Sequence, residues 1–277
     1  MDSYDRLKKD KTGIYCLYIV VFYLLVAVLA KIGWIATPWD KTVGKGYEPP
    51  SFISLELWLG TDIFGRSVFY KVIHGTRIAM SVGLVSALMS TPIGIVLGAL
   101  AGYFGGWVDE LVVWFYTTVS SIPNIILLIA ITYVLGKGLT SIYFALGVTA
   151  WIGLARVIRG EFIKHKTREY VLAAESLGAS HFSKIFKHIL PNVFHFVIIN
   201  LSIQFMSAIK AEVILSFLGL GVQGQPSWGV MIDDAKMELA RGVWWQLAGA
   251  SIAMFFVILA LNILGDALRD SLDPKIK

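Results

Sequence analysis

Two ionisable side chains lie inside an otherwise apolar stretch of the chain. Lys210 and Glu212 fall within the run from Asn192 to Phe217. A charge in hydrocarbon is costly, so such residues mark a wet or buried functional surface by default. Side chains two residues apart do not face one another on a helix. We therefore predict that Glu212 is an internal stabiliser or a pathway residue rather than a catalyst, and that Lys210 snorkels or pairs elsewhere.

The sequence lacks the usual motifs of nucleotide binding and hydrolysis. It contains no G-x-x-x-x-G-K-[ST], and the segments 136–138 and 44–46, both Gly-Lys-Gly, lack the upstream spacing of a phosphate loop. It also contains no H-E-x-x-H and no G-x-S-x-G. We therefore expect neither a catalytic site nor an ATP site in this chain.

Metal and redox sites are equally unsupported. His181, His188 and His195 are spaced seven apart, but Pro191 falls between the last two and is predicted to interrupt the helix. Cys16 is the single cysteine, which excludes disulfides and cysteine zinc sites within one chain. We therefore expect no metal and no cofactor in this chain, with Cys16 serving in packing.

The composition points to a bilayer as the main solvent. Of 277 residues, 56% are hydrophobic and 16% are charged, and the mean hydropathy is +0.70. A bilayer core needs about 20 apolar residues per helix, far more than a membrane β-strand needs. The chain is therefore predicted to be all-α with six spans: Ile14–Trp34, Ile78–Gly102, Leu111–Leu135, Leu139–Ile158, Asn192–Phe217 and Val243–Gly265.

Three of the six runs carry further structural signals. The first is longer than a signal-peptide core and is predicted to be an uncleaved anchor. Pro123 is predicted to kink the third. Ser86, Ser90, Gly94, Gly98, Gly102 and Gly106 recur every four residues and predict a groove for close helix packing.

The distribution of Lys and Arg predicts the orientation. Thirteen lie in the segments 1–13, 103–110, 159–191 and 266–277, against eight in the segments on the opposite side. The positive-inside rule therefore favours both termini in the cytoplasm. In a membrane protein the net charge of +5 records topology rather than nucleic-acid binding. The long outer segments would then be 35–77 and 218–242.

The long inner loop carries two amphipathic patterns. Tyr170, Ala173, Ala174 and Leu177 form one apolar stripe of helical spacing, and Gly178 follows where a helix C-cap requires positive φ. A second stripe runs from Phe182 to Leu190, and Pro191 is predicted to end it. The two short helices fit two roles equally well: lying on the membrane surface or docking to a partner.

Motifs along the chain carry a family resemblance. The matching stretches are Leu59–Asp62, Gly65–Arg66, Gly75–Arg77, Trp151–Arg156, Arg159, Tyr170–Val171, Ala173–Ala174, Gly178–Ser180, His188–Asn192, Leu215–Val222, Pro226–Gly229, Leu264–Asp270 and Leu272–Pro274. The loop among them resembles the EAA loop of bacterial ABC-importer permeases. The whole set is similar to the shorter permease of the dipeptide and oligopeptide family, which also includes nickel and opine transporters.

The resemblance implies a fold, partners and a site. It implies a type I importer permease of the bacterial inner membrane, with residues 1–77 preceding a five-helix core, 78–277, that contains the EAA-like loop at 168–191. The implied partners are a second permease, two ATPases that bind ATP and Mg, a solute-binding protein and the lipid bilayer. The implied coupling residues are Glu169, Tyr170, Ala173, Ala174, Glu175, Gly178, Ala179 and Ser180.

Three positions depart from the family pattern. Leu172 stands where the family usually has the acidic residue that names the loop, and Glu169 and Glu175 border that site on a helix surface. Trp58 and Ser67 replace a proline and an aspartate in the outer segment.

A stand-alone secondary transporter or channel is the alternative function for this chain. It explains the charges within the fifth run but not the inner loop.

Overall fold

The apolar runs form helices, because a backbone in hydrocarbon must satisfy its hydrogen bonds within its own segment. The structure is a computed structural model and describes residues 10–272. Five helical stretches are long and apolar enough to span a membrane, one of which, Leu139–His165, consists of the adjoining helices α5 and α6 below. The bent pair α3 and α4 gives a sixth span. The helices are α1 Lys11–Lys31, α2 Val68–Phe104, α3 Gly106–Ser120, α4 Asn124–Leu135, α5 Leu139–Thr149, α6 Trp151–His165, α7 Glu169–Ser176, α8 His181–Phe217, α9 Trp228–Leu239 and α10 Trp245–Leu272.

The second span begins earlier than its hydropathy indicates. Helix α2 starts at Val68 rather than at Ile78, because Ser67 caps it by accepting a hydrogen bond from the backbone N–H of Tyr70 at 3.3 Å. The Ser67 hydroxyl also donates to the carbonyl of Glu56 at 2.5 Å. Serine therefore anchors the start of this helix in the preceding segment.

The third run is broken rather than kinked. Helix α3 ends at Ser120 and α4 begins at Asn124, with an angle of 84° between them. Pro123 is extended, with ψ of 125°, and precedes the first residue of α4. The prediction of one kinked helix over Leu111–Leu135 is wrong, because proline lacks an N–H and disfavours helical backbone at the residue before it.

Pro191 does not end the second amphipathic stripe. The helix runs from His181 through Pro191 to Phe217, so this prediction is also wrong. The turn before the proline, Lys184–Ile189, is π-helical, which widens the backbone where the proline ring would otherwise crowd it. The amide of Asn192 donates to the carbonyl of His188 at 2.6 Å. One continuous helix therefore joins the loop to the fifth span.

The predicted small-residue groove on α2 packs against α6. A Cβ placed on Gly94, Gly98 or Gly102 would lie 2.9, 2.6 or 2.5 Å from the carbonyl oxygen of Trp151, Ala155 or Arg159, respectively. Any side chain would therefore push the two helices apart. Gly106 does not belong to this groove, because the chain turns at Gly105 and Gly106 begins α3.

Separate hydrophobic cores hold the two ends of the bundle. The core at the end near α9 joins α2, α4, α5 and α8, and it includes Ile78, Leu128, Ile142 and Leu215. The core at the end near α7 joins α6, α7 and α8, and it includes Leu154, Phe162, Val171 and Ile189. Helix α1 packs on α10, where the hydroxyl of Tyr23 donates to the carbonyl of Ala253 at 2.9 Å and Cys16 is buried.

Candidate functional site

Helix α7 ends in a tight cap built on Gly178. Gly178 has φ of +82°, as predicted from its position after the apolar stripe. Its N–H donates to the carbonyl of Glu175 at 2.8 Å, and the N–H of Ala179 donates to that of Ala174 at 3.0 Å. This pair of bonds is the Schellman motif, and it satisfies carbonyls that the helix end leaves free. Ser180 then starts α8 by accepting a hydrogen bond from the N–H of Ser183 at 3.3 Å.

One side of α7 is buried and the other is free. Val171 and Ala174 are buried, and Val171 belongs to the core near α7. The other members of the predicted stripe, Tyr170, Ala173 and Leu177, are exposed. Leu177 is 89% exposed. Two further residues of this loop, Glu169 and Leu172, are also exposed, so the chain leaves an apolar face of α7 uncovered.

Glu175 holds α7 to α8. Its carboxylate lies 2.9 Å from the ammonium of Lys184, which is itself buried. The hydrogen bond and charge of Lys184 lower the pKa of Glu175. The ammonium of Lys184 also lies 5.9 Å from the centre of the Tyr103 ring. The hydroxyl of Tyr103 forms a hydrogen bond of 2.8 Å with Nδ1 of His181. Glu175 therefore ties α7 to α8, although its own side chain is exposed, and Glu169 is the other exposed carboxylate that borders Leu172.

Helix α6 is tied to the broken third span. The guanidinium of Arg159 forms a two-point ion pair with Asp109 on α3, with one N–O distance of 2.6 Å. One turn away, Arg156 donates to the hydroxyl of Ser120 at 2.8 Å, next to the break. The sequence motif contained both arginines but gave no indication of Asp109 as their partner. Helix α6 is therefore connected to α3 at Asp109, near the start of that helix, and at Ser120, next to the bend.

A cavity of about 390 Å³ with a mixed polar and apolar lining lies beside this bend. It is bounded by the middle of α2, the bend, the α5–α6 junction and the middle of α8, and hydroxyl and amide groups line it. Its polar side chains are Ser86, Ser120, Asn124, Thr149, Asn200, Gln204 and Ser207. The amide of Gln204 donates to the carbonyl of Ala150 at 2.8 Å, which ties α8 to the α5–α6 junction.

The two ionisable residues of the fifth run, Lys210 and Glu212, do not line this cavity. Glu212 is fully buried and accepts a hydrogen bond from the hydroxyl of Ser216 at 2.6 Å. Lys210 is exposed. The two do not pair with one another, as predicted from their spacing, and Glu212 occupies an internal position next to the start of the loop that leads to α9.

A second charged cluster joins α2, α9 and α10. The buried ammonium of Lys71 lies 3.2 Å from Asp62, 2.8 Å from the amide oxygen of Gln246 and 3.7 Å from Asp234. Burial opposes ionisation of Asp62, but Lys71 and Arg66 outweigh it and lower the pKa of Asp62. Burial raises the pKa of nearby Glu238 to about 7. Sequence reasoning missed this cluster, whose members are far apart along the chain.

Residues 94–277 match the family described as the binding-protein-dependent transport system inner membrane component. The chain belongs to this permease family. The match begins in the last third of α2 and includes Gly94, Gly98 and Gly102 of the groove, the bend and α7. Ser86, which lies in the groove and lines the cavity, precedes it. The prediction that the motifs indicate an importer permease is therefore confirmed.

Curated relatives match all or nearly all of the length of this permease. It is 38% identical to the dipeptide transport system permease protein DppC of Bacillus subtilis, over 100% of this chain and 86% of that one. It is 33% identical to the oligopeptide permease OppC of the same organism, over 100% and 90%. It is 36% identical to the glutathione permease GsiD of Pectobacterium atrosepticum, over 93% and 86%.

The fold agrees with a solved importer. A chain of the MetNI methionine ABC transporter, in an inward-facing conformation, superposes with a TM-score of 0.61 at 18% identity. The superposition covers 74% of this permease and 98% of that chain. The predicted fold class, an all-α type I importer permease, is therefore confirmed.

Proposed function

We propose that this permease forms half of the translocation path of a bacterial importer for peptides or similar small solutes. The relatives named for dipeptide, oligopeptide and glutathione transport support this cargo class. A second, similar permease supplies the other half of the path. Two separate ATPase subunits bind ATP and Mg and hydrolyse ATP, and a solute-binding protein delivers cargo to the segments 35–77 and 218–242.

The observation that carries this proposal is the uncovered apolar face of α7. An exposed apolar face on a capped helix is suited to binding in a groove of a partner protein, because burying apolar surface there is favourable. Glu169, Tyr170, Ala173 and Leu177 would contact the ATPase. Ala174, Glu175, Gly178, Ala179 and Ser180 would hold the helix at the required angle.

The contacts around α7 supply a mechanical route to the cavity. Val171 packs in the core near α7 with residues of α6 and α8. Helix α6 then connects through Arg156 and Ser120 to the bend that borders the cavity. In the proposed cycle, a displacement of α7 by the ATPases moves α6 and the bend together. The path would therefore open alternately to the two sides, without covalent chemistry in this chain.

We further infer that both termini lie in the cytoplasm and that the permease resides in the inner membrane. The excess of positive residues in the segments flanking α7 supports this orientation. A cysteine at Ser183 should react with a membrane-impermeant thiol reagent only after the cytoplasmic side is opened, whereas one at Gln223 should react in intact cells. The reverse pattern would remove α7 from the ATPase side.

Reconstitution tests the division of labour. The purified permease alone should neither bind nor hydrolyse ATP, whereas liposomes containing both permeases and both ATPases should import peptide from the binding protein and consume ATP. Nucleotide binding by the isolated permease at micromolar affinity would contradict the proposal. Proton-driven uptake without any ATPase would favour a stand-alone secondary transporter instead.

A further inference from the structure

Glu238 is a buried carboxylate close to the end of α9. The residue is 3% exposed, and its Oε2 atom is buried without a hydrogen-bond partner among residues 10–272. Buried polar groups are nearly always paired, so this exception calls for an explanation. An ionised carboxylate that is buried and unpaired is so costly that it takes up a proton instead. A proton also needs no cavity of its own, unlike any larger ligand.

The cation beside Glu238 is committed to other partners. The ammonium of Lys71 has three N–H donors. It lies 3.2 Å from Asp62 and donates to the amide oxygen of Gln246 at 2.8 Å. Its distance to Asp234, 3.7 Å, is longer than a hydrogen bond. Lys71 therefore stabilises Asp62 most directly, and Glu238 receives only its longer-range attraction.

The elements packed around Glu238 leave its charge uncompensated. The charged groups that face it are Lys71 from α2, Asp62 from the outer segment with its partner Arg66, and Asp234 from α9 itself. Helix α10 contributes the uncharged Gln246. Arg241, three residues further on, contacts the hydroxyl of Tyr47 at 3.4 Å instead. Because the two anions and two cations of this set balance one another, an ionised Glu238 adds one negative charge in excess.

Glu238 titrates near neutral pH for this reason. Other ionisable groups nearby are bonded elsewhere: His74 on α2 to a backbone carbonyl, and Glu212 on α8 to a serine hydroxyl. On α9, Asp233 pairs with Lys236 at 2.6 Å. Burial raises the pKa of Glu238 to about 7 against the attraction of the nearby ammonium, and the neighbouring carboxylates add to the rise.

Glu238 is buried because α9 packs against α2 and α10. The amide of Gln246 on α10 donates to the carbonyl of Met231 at 3.4 Å. The indole of Trp228 donates to the carbonyl of Val72 on α2 at 3.1 Å, and both α9 residues are buried in a core shared with α2 and α10. Separation of α9 from these helices would hydrate Glu238 and so remove the cost of its charge.

We propose that Glu238 is a proton-binding site at the outer side of the membrane, and that the bound proton holds α9 against α2 and α10. Hydronium in the outer solution gives a proton to the carboxylate, which leaves water and a neutral carboxyl. Asp234 lies one turn earlier on the same face of α9. Its side chain is 47% exposed and lines an outer cavity of about 370 Å³, so solution reaches the neighbourhood of Glu238. The exposure to the outer solution rests on the proposed function, which places the segment 218–242 outside.

Proton binding stabilises the packed position of α9 with a defined sign. The pKa of Glu238 is about 7 when α9 is packed and returns toward 4.5 when the carboxyl is hydrated. The stabilisation is therefore complete below about pH 4.5 and is lost as the pH rises through 7. Linkage between these two values gives about a thirtyfold change in the packing equilibrium between pH 5.5 and 8. An acidic outer solution thus stabilises the wall that α9 contributes to the outer cavity.

Hydrogen exchange of the full-length permease in nanodiscs measures this equilibrium. Amide protection in α9, corrected for the intrinsic exchange rate at each pH, should fall at least about tenfold in the parent between pH 5.5 and 8. Glu238→Gln, which cannot ionise, should keep high protection at both values. His74 is present in both proteins, so a pH dependence caused by His74 would persist in the variant. Equal losses of protection in the parent and in Glu238→Gln would refute the proposal.

Two adjacent aspartates on α9 supply matched variants. Asp234→Asn removes a negative charge that favours protonation of Glu238, so the midpoint of the loss of protection should move to lower pH. Asp233→Asn removes a charge that is paired with Lys236, so the midpoint should stay at the parental value. A purely structural role of Glu238 predicts no difference between the two variants, and equal midpoints would count against the proton site.

Infrared spectroscopy observes the proton itself. In the parent, a carbonyl-stretch band of a protonated carboxyl should disappear with a midpoint near pH 7, and Glu238→Gln should lack that band. Neither readout requires transport, so the site and the proposed function fail separately. If the reconstituted transporter imports no peptide while the band titrates as expected, the site is supported and the proposed function is refuted. If it imports peptide while the parent lacks the band or Glu238→Gln retains it, the site is refuted and the function is unaffected.

Discussion

The cap of α7 offers a sharp perturbation of the proposed coupling. Gly178 has φ of +82°, and an added Cβ would meet nothing within 4 Å. A substitution there therefore strains the backbone without any clash. The strained chain relaxes by reorienting α7, which breaks the bonds from Gly178 and Ala179 to the helix end. Docking to an ATPase would then have to restore the strained conformation.

The strain sets the size of the effect. Alanine in the left-handed region costs about 1 kcal/mol or slightly more, and a β-branched residue costs up to about 3 kcal/mol. Each 1.4 kcal/mol corresponds to about tenfold in affinity. Gly178→Ala should therefore weaken ATPase association about fivefold, and Gly178→Val about a hundredfold. The membrane helices lie elsewhere, so both variants should insert and pair with the second permease normally.

Gly242 supplies a matched control for this experiment. Its φ is +80°, its added Cβ also meets nothing within 4 Å, and it forms the same cap at the end of α9. Titration of the ATPases onto permease pairs in nanodiscs should show weakened association for Gly178→Val and parental association for Gly242→Val. If the two variants bind equally and transport at the parental rate, α7 is not the mechanical link.

Three further predictions follow from single contacts. Glu238→Gln should remove a carboxyl whose pKa is about 7. Because this pKa is raised, ionisation of the carboxyl destabilises the folded parent as the pH rises from about 4.5 to 7. The free energy of unfolding of the variant should therefore exceed that of the parent by roughly 1 to 2 kcal/mol at pH 8 and by little at pH 4, as measured by thermal unfolding. Gly98→Leu should destabilise the permease, because its Cβ would lie 2.6 Å from the carbonyl of Ala155; size-exclusion profiles that match the parent would contradict close α2–α6 packing. Glu175→Gln should remove the carboxylate partner of Lys184 and so speed amide exchange in α7 at pH 7. As the pH falls and Glu175 becomes protonated, the difference in α7 protection between the parent and the variant should disappear. Because the pKa of Glu175 is lowered in the fold, this loss occurs below the usual pH range of a glutamate.

Local sequence patterns predicted the coupling loop, but they did not predict whether a helix breaks or continues at a given proline. The apolar stripe and the glycine after it were sufficient to predict α7 and the positive φ of Gly178. Pro123 and Pro191 carry the same local restriction, yet one breaks a helix and the other lies within one. The difference depends on surroundings: the π turn before Pro191, and the contact of Arg156 with Ser120 beside the bend.

The cavity and the charged cluster were not predictable from the sequence, because both depend on contacts between distant residues. Ser86 was assigned to a packing stripe, and the structure alone shows its hydroxyl unpaired beside Asn200. Lys71 and Gln246 are 175 positions apart along the chain. Hydropathy patterns locate spans but do not say which polar side chains from different spans meet.

Site-specific labelling of α7 tests the central claim most directly. In a Cys16→Ala background, a cysteine at Leu177, which is 89% exposed, should react with a maleimide in the permease pair. Saturation with the ATPases should block that reaction and allow a short bifunctional reagent to join Leu177→Cys to an ATPase. A cysteine at Met237 on α9, 72% exposed, should react equally with and without the ATPases. Unchanged labelling of Leu177→Cys when the ATPases are bound would contradict the account.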